Sequence, residues 1–110
     1  MTNKPESQIQ REVMLMASKC GVILWRNHTA AIEDKNGRWH RMGLCKGSSD
    51  LIGIHKASGR LVAAEIKTPI GRVSKEQQNF IDKINEYGGI AFVCRDAKEF
   101  KNLLDNCLQV

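Results

Sequence analysis

Apolar residues near the amino end of the chain recur at helical spacing. Ile9, Val13, Met16 and Ala17 share one side of a helix that Pro5 and Glu6 open and that runs to about Lys19, where Gly21 stops it. The period then changes. Val22 to Arg26 is short, apolar and β-prone, and predicts a strand. Residues 27–47 are polar and broken by Gly37, Gly43 and Gly47; they read as loop, with a short hairpin arm around Arg38, Trp39, His40 and Arg41. Asp50 to His55 and Arg60 to Lys67 are two strand-like runs joined by residues 56–59, the pattern of a β-hairpin. After a loop carrying Pro69 and Gly71, Ser74 and Gln77 have the spacing of a capping box. The helix they begin runs to about Tyr87, turns Phe80, Ile81 and Ile84 inward, and ends at Gly88 and Gly89. Ile90 to Cys94 reads as a buried strand, and Asp96 starts a last helix with Phe100, Leu103, Leu104 and Cys107 on its inner side. The predicted order is α-β-β-β-α-β-α with the arm after the first strand, an α/β fold of helices flanking one small mixed sheet. Trp25 is expected in the core.

The chain has 110 residues, the size of one domain, taken as residues 1–110. Its 42% hydrophobic and 26% charged residues are ordinary for a globular domain and exclude a collagen-like or disordered chain. No apolar run approaches the roughly 18 residues of a membrane helix, and the amino end is too polar for a signal-peptide core. The expected compartment is the cytoplasm, and no membrane partner is expected. Cys20, Cys45, Cys94 and Cys107 are far apart without a CxxC pair, so they are expected as reduced, mostly buried thiols. Seventeen Lys and Arg against twelve Asp and Glu leave a net charge of +5, which favours a polyanionic partner. No glycine-rich phosphate loop or dinucleotide fingerprint occurs, so no nucleotide cofactor is indicated.

Three Glu-x-Lys triplets occur. Glu33 and Lys35 lie in a polar loop, and Glu99 and Lys101 fit the solvent side of a helix. Only Glu65 and Lys67 close an apolar strand, where alternation puts both on one face and Ile66 on the other. If His55 pairs with Arg60 across the hairpin, Asp50 lies directly opposite Glu65 on that same face. Two facing carboxylates repel each other unless a cation lies between them, and hard oxygen donors suit Mg²⁺. An ammonium two residues along can orient a nucleophilic water or stabilise charge building on a phosphate. The alternative is a surface aspartate at a turn beside a simple Glu–Lys ion pair.

Asp50, Glu65-x-Lys67 and downstream Gln77 resemble the PD-(D/E)xK nuclease superfamily. Nearly the whole chain is similar to the VRR-Nuc family of virus-type replication-repair nucleases: Glu6, Ile9 and Gln10 in the first helix, Trp25 and Arg26, Gly47 to Asp50, Glu65 to Lys67, Ser74, Gln77 and Phe80, and Gly88 with Gly89. Ser49 stands where the broader motif has proline. The resemblance implies a restriction-endonuclease-like core in which Asp50, Glu65 and the main-chain carbonyl of Ile66 bind Mg²⁺ or Mn²⁺. It implies that Lys67 positions or activates the water and that Gln77 orients Lys67 or the scissile phosphate. Glu6 would approach the same site and help hold a second metal. Phage and mobile-element members imply a viral or prophage source.

The basic residues extend this reading. Arg38, Arg41 and Lys46 flank Trp39 before Asp50, and Arg72 and Lys75 flank Ser74 after Lys67. They are expected to border the site as a phosphate-contacting rim, with Ser74 at a helix N-terminus suited to phosphate, Trp39 stacking at an unpaired base, and Arg26 meeting a carboxylate or DNA. The expected activity is endonucleolytic hydrolysis of branched DNA, with Holliday junction resolution by a homodimer the specific form, since two active sites related by a twofold axis suit symmetric cleavage. Apolar residues of the last helix are the candidate dimer surface. The alternatives are a restriction-type or nicking enzyme on duplex DNA, action on RNA or a hybrid, and a basic DNA-binding module without catalysis.

Overall fold

The computed structural model of the protein describes residues 4–28 and 30–109. Its elements are α1 (Glu6–Lys19), β1 (Val22–Arg26), β2 (Ala30–Glu33), β3 (Trp39–Met42), β4 (Leu51–His55), β5 (Leu61–Ile66), α2 (Lys75–Glu86), β6 (Ile90–Cys94) and α3 (Ala97–Leu108). The end signals act as their chemistry requires. Gly21 takes the left-handed backbone (φ +76°) that turns the chain from α1 into β1. Ser74 and Gln77 form both bonds of the capping box, and the Asp96 carboxylate caps α3 by accepting from the Glu99 N–H.

The main sheet runs β1-β4-β5-β6. β1 and β4 are antiparallel, as are β4 and β5, while β6 lies parallel to β5 because the α2 crossover carries the chain back to the same end. Period-two alternation sorts residues to the two faces. Leu24, Leu51, Val62, Ala64, Ile66 and Phe92 meet the inner sides of α1 and α3, including Ile9, Val13, Phe100 and Leu104. On the other face Ala63 and Ala91 pack against Ile81 of α2, with Ile52, Phe80, Ile84 and Val93 around them. Glu65 and Lys67 alternate with Ile66 and so emerge on the α2 side.

Two expectations are corrected and one is extended. The short arm expected around residues 38–41 is present and longer: β2 and β3 pair antiparallel as a separate two-stranded sheet, with Ile32 opposite His40 and Glu33 opposite Trp39. Both strands are exposed throughout, so the arm stands away from the core that sets the usual hydrophobic pattern. It helps to explain an accessible surface of 7261 Å² where a smooth globule of this mass would have roughly 6,100 Å². Trp25 is 54% exposed rather than in the core. It sits on the α2 side of the edge strand β1, and α2 packs on β5 and β6 without reaching that far. All four cysteines are free as expected, but Cys45 is exposed on the loop that returns from the arm. Among the described residues no helix is long and apolar enough to cross a membrane.

Candidate active site

The hairpin register places Leu51 opposite Ala64 and Ile54 opposite Leu61, and the His55 N–H donates to the Arg60 carbonyl at 3.0 Å. This is the register deduced from the hairpin arithmetic. Extended by one residue, it sets Asp50 against Glu65 at a non-hydrogen-bonded position, where facing side chains come closest. The two carboxylates interlock through the backbone. The Asp50 N–H donates to Glu65 Oε2 at 3.3 Å, and the Ile66 N–H donates to Asp50 Oδ2 at 3.0 Å.

Glu65 is 2% exposed. Gln77 Nε2 donates to its Oε1 at 2.7 Å, and Lys67 Nζ lies 3.7 Å from the same oxygen. Gln77 thereby serves two ends with one amide, because its Oε1 accepts from the Ser74 N–H at 2.9 Å. The helix cap aims the amide nitrogen at the carboxylate. The contact made by this side chain is to Glu65, beside Lys67. Lys67 itself is mostly buried, and its N–H donates to the Cys94 carbonyl at 3.1 Å. The loop beyond Lys67 is pinned by Arg95, whose Nη1 donates to the carbonyls of Thr68 and Gly71.

The carboxyl of Glu65 is pushed up from its ordinary 4.5 to about 7, first by burial and then by the Asp50 charge. Asp50 is also raised, by burial above all, against the opposing pull of its Ile66 hydrogen bond and the Lys67 charge. Two oxygen donors held face to face and resisting ionisation have the chemistry of a hard-cation site. The residues fit such an ion in part. Among the described residues no three His, Cys, Asp or Glu side chains converge on one point, so a cation held by Asp50 and Glu65 would draw its remaining ligands from main-chain carbonyl and water.

Glu6 arrives from the other side of the sheet. The first turn of α1 brings it, with Gln10, to a cavity of about 240 Å³ whose other walls are Arg26, Asn27, His28 and Asp50. Partial burial and the Asp50 charge both raise the Glu6 carboxyl. Glu6 and Arg26 thus line one cavity with Asp50. Asn27 and His28 share the cavity although their local sequence reads as ordinary, because the approach of the end of β1 to Asp50 follows only from the pairing of β1 with β4.

The loop before Asp50 is built tightly. Gly47 has φ +84°, and a Cβ there would lie 2.5 Å from the Glu76 carbonyl oxygen, so only glycine lets the loop lie on the first turn of α2. Ser48 and Ser49 are buried, and the Ser49 hydroxyl has no partner among the described residues.

The basic residues are less gathered than expected. Arg38, Trp39 and Arg41 lie on the exposed arm, where Trp39 and Arg41 share a face. Lys46 pairs with Glu76 at 3.5 Å and lines a separate groove along α2 with Cys45, Asn79, Phe80 and Lys83. Arg72 and Lys75 are exposed beside the start of α2. The Ser74 hydroxyl is occupied, accepting from the Gln77 N–H at 3.1 Å.

A mixed sheet between helices, facing carboxylates at the end of one strand pair, a lysine two residues on and a glutamine from the next helix define the PD-(D/E)xK class of nuclease folds. A family model for the VRR-NUC domain matches residues 4–98, and the chain belongs to that family, a family of nucleases. A solved structure described as a VRR_NUC domain superposes with a TM-score of 0.62 at 19% identity, over 91% of this chain and 94% of that one, a likeness of fold. Comparison with curated proteins found no significant match.

Proposed function

We propose that the protein is a divalent-metal-dependent endonuclease that cuts branched DNA, with the four-way junction as its preferred substrate. The observation that carries this reading is the Asp50–Glu65 pair, held face to face with Lys67 beside it. Asp50, Glu65 and the Ile66 carbonyl would hold Mg²⁺ or Mn²⁺, with Glu6 across the cavity in reach of a second ion. Such a cation acts as a Lewis acid on the phosphodiester and offsets the charge that builds up on it. The chain's own residues do the rest. Gln77 keeps the Glu65 carboxylate turned toward Asp50, and the mostly buried Lys67 ammonium orients the attacking water and stabilises negative charge on the phosphate. The exposed arm offers Arg38 and Arg41 to phosphates and Trp39 to an unstacked base.

A homodimer suits a junction, because two equivalent sites can make paired cuts. The apolar positions of α3 do not serve it, since Phe100 and Leu104 are buried and Leu103 and Cys107 pack on the core. A better candidate surface is the α2 side of β1 and β4, where Ile23 faces Ile54 and both are 41% exposed beside Trp25.

The deciding experiment is a gel cleavage assay on matched linear duplex, single strand, 5′ flap, 3′ flap and four-way junction, each with Mg²⁺, Mn²⁺ or EDTA. Cutting of branched DNA only in the presence of metal is the expected result. Cutting of linear duplex alone would replace it with a restriction-type activity, and binding without cutting would leave a non-catalytic module.

The arm is tested separately. Arg38→Ala together with Arg41→Ala should weaken junction binding and reduce the slope of log K against log salt by roughly 2, one ion-release term for each lost phosphate contact. An unchanged slope would remove the arm from the interface.

A further inference from the structure

We propose that Asn27 is a positioning residue for Asp50, and that it sets the affinity of the metal site without touching the metal. This rests on the metal-dependent reading above and assigns it a residue that neither the motif nor the carboxylate pair includes. Asn27 follows β1 directly, and its polar groups converge on the loop that delivers Asp50. Its N–H donates to the Asp50 carbonyl at 2.8 Å. Its Nδ2 donates to Ser48 Oγ at 2.7 Å and to the Ser49 carbonyl at 3.0 Å. Its Oδ1 accepts from the Leu44 N–H at 3.3 Å. Both donors and the acceptor of the amide are therefore in use. Ser48 in turn donates to the Cys45 carbonyl at 2.8 Å, which carries the tie back along the loop.

The ladder shows what this amide accomplishes. Hydrogen-bonded rungs alternate along an antiparallel pair. Counting from His55 and Arg60, the next rung past Leu51 and Ala64 would join the Ile66 N–H to the Ser49 carbonyl. That bond is replaced. Asn27 takes the Ser49 carbonyl, and the Asp50 carboxylate takes the Ile66 N–H. Drawing Ser49 toward β1 leaves the Ile66 N–H for the Asp50 side chain, which is thereby held beside Glu65. Ser48 and Ser49 are buried, so the exchange occurs away from bulk water, where an unmet polar group is costly. The same side chain holds Leu44, where the chain returns from the arm.

The test is calorimetric titration with Mn²⁺ of the protein and of Asn27→Ala and Ser48→Ala, with thermal midpoints measured without metal. Asn27→Ala should weaken Mn²⁺ binding by about 10-fold to 100-fold, the range seen when groups that orient metal ligands are removed. Ser48→Ala, which takes away one acceptor, should weaken it by about fivefold. In cleavage assays the metal concentration for half-maximal rate should rise in step, while the rate at saturating metal stays close to that of the parent. A merely structural tie would lower the thermal midpoint and leave Mn²⁺ affinity unchanged in the folded variants. That result would overturn the assignment, and Ser48→Ala decides it alone if Asn27→Ala does not fold. Absence of Mn²⁺ binding by the parent would overturn the metal reading and the assignment together, whereas unchanged affinity in the variants of a metal-binding parent overturns the assignment only.

Discussion

Glu65→Gln should abolish cleavage while leaving junction binding within a few-fold of the parent. Glutamine keeps the volume of the side chain and can still hydrogen-bond with Gln77, but it removes the charge that a cation requires. A divalent ion contributes several kcal/mol of transition-state stabilisation, so a loss of about 4 kcal/mol corresponds to a rate reduction of roughly a thousandfold. Asp50→Asn should behave alike, since its carboxylate is the other half of the pair. Binding should survive because the proposed phosphate contacts lie on the exposed arm, away from the carboxylate pair. Single-turnover cleavage and gel-shift titration of the same preparations separate the two effects. Glu65→Gln with parental cleavage rates would remove this carboxylate from the mechanism.

The second large effect is on stability. With its carboxyl pushed up to about 7, Glu65 stays protonated in the folded protein over a range where the unfolded chain has already ionised. The folded state then binds more protons than the unfolded state, so the metal-free protein should lose stability as pH rises from 4.5 to about 7 and level off above. A difference of that size corresponds to a loss of about 3 kcal/mol, a substantial part of the stability of a small domain. Glu65→Gln should flatten most of this slope and be more stable than the parent at pH 8. Added Mn²⁺ should restore stability to the parent above pH 7 and do little at pH 5, because binding must displace the proton. Chemical denaturation of parent and variant at a series of pH values, with and without Mn²⁺, gives the comparison. A parent whose stability relative to Glu65→Gln does not change across this range would show that the carboxylate carries no such strain. One variant more stable and less active than its parent is the expected sign of a site that holds repelling charges for function.

Much of this was legible in the order of residues. Helical period in Ile9, Val13 and Ala17, strand alternation in residues 61–67, and the end signals at Gly21, Ser74 and Gly88 are local, and local sterics and hydrogen bonding act on them wherever the chain lies. The hairpin joining β4 to β5 is nearly as local. Its short connection sets the register, so the approach of Asp50 to Glu65 was already present in the spacing. The capping box could be read from Ser74 and Gln77 in the same way.

Other features depended on which distant segments meet. Gln77 faces Glu65 because α2 packs across β5 and β6, which no spacing between residues 65 and 77 dictates. Trp25 is exposed because that helix stops short of β1, although the strand itself reads as apolar on both sides. The arm is longer than the short hairpin expected around residues 38–41, since its strands need only each other's backbone to form a ladder. Asn27 looks like an ordinary polar residue after a strand until β1 pairs with β4 and brings the Asp50 loop against it. Thus the sequence by itself determined the helices, the strands of the main sheet, their ends and the carboxylate pair, because each arises from contacts within a few residues or across one tight turn. Tertiary structure alone decided how that pair is oriented, desolvated and held, because those properties come from packing between segments whose separation along the chain carries no record of their meeting.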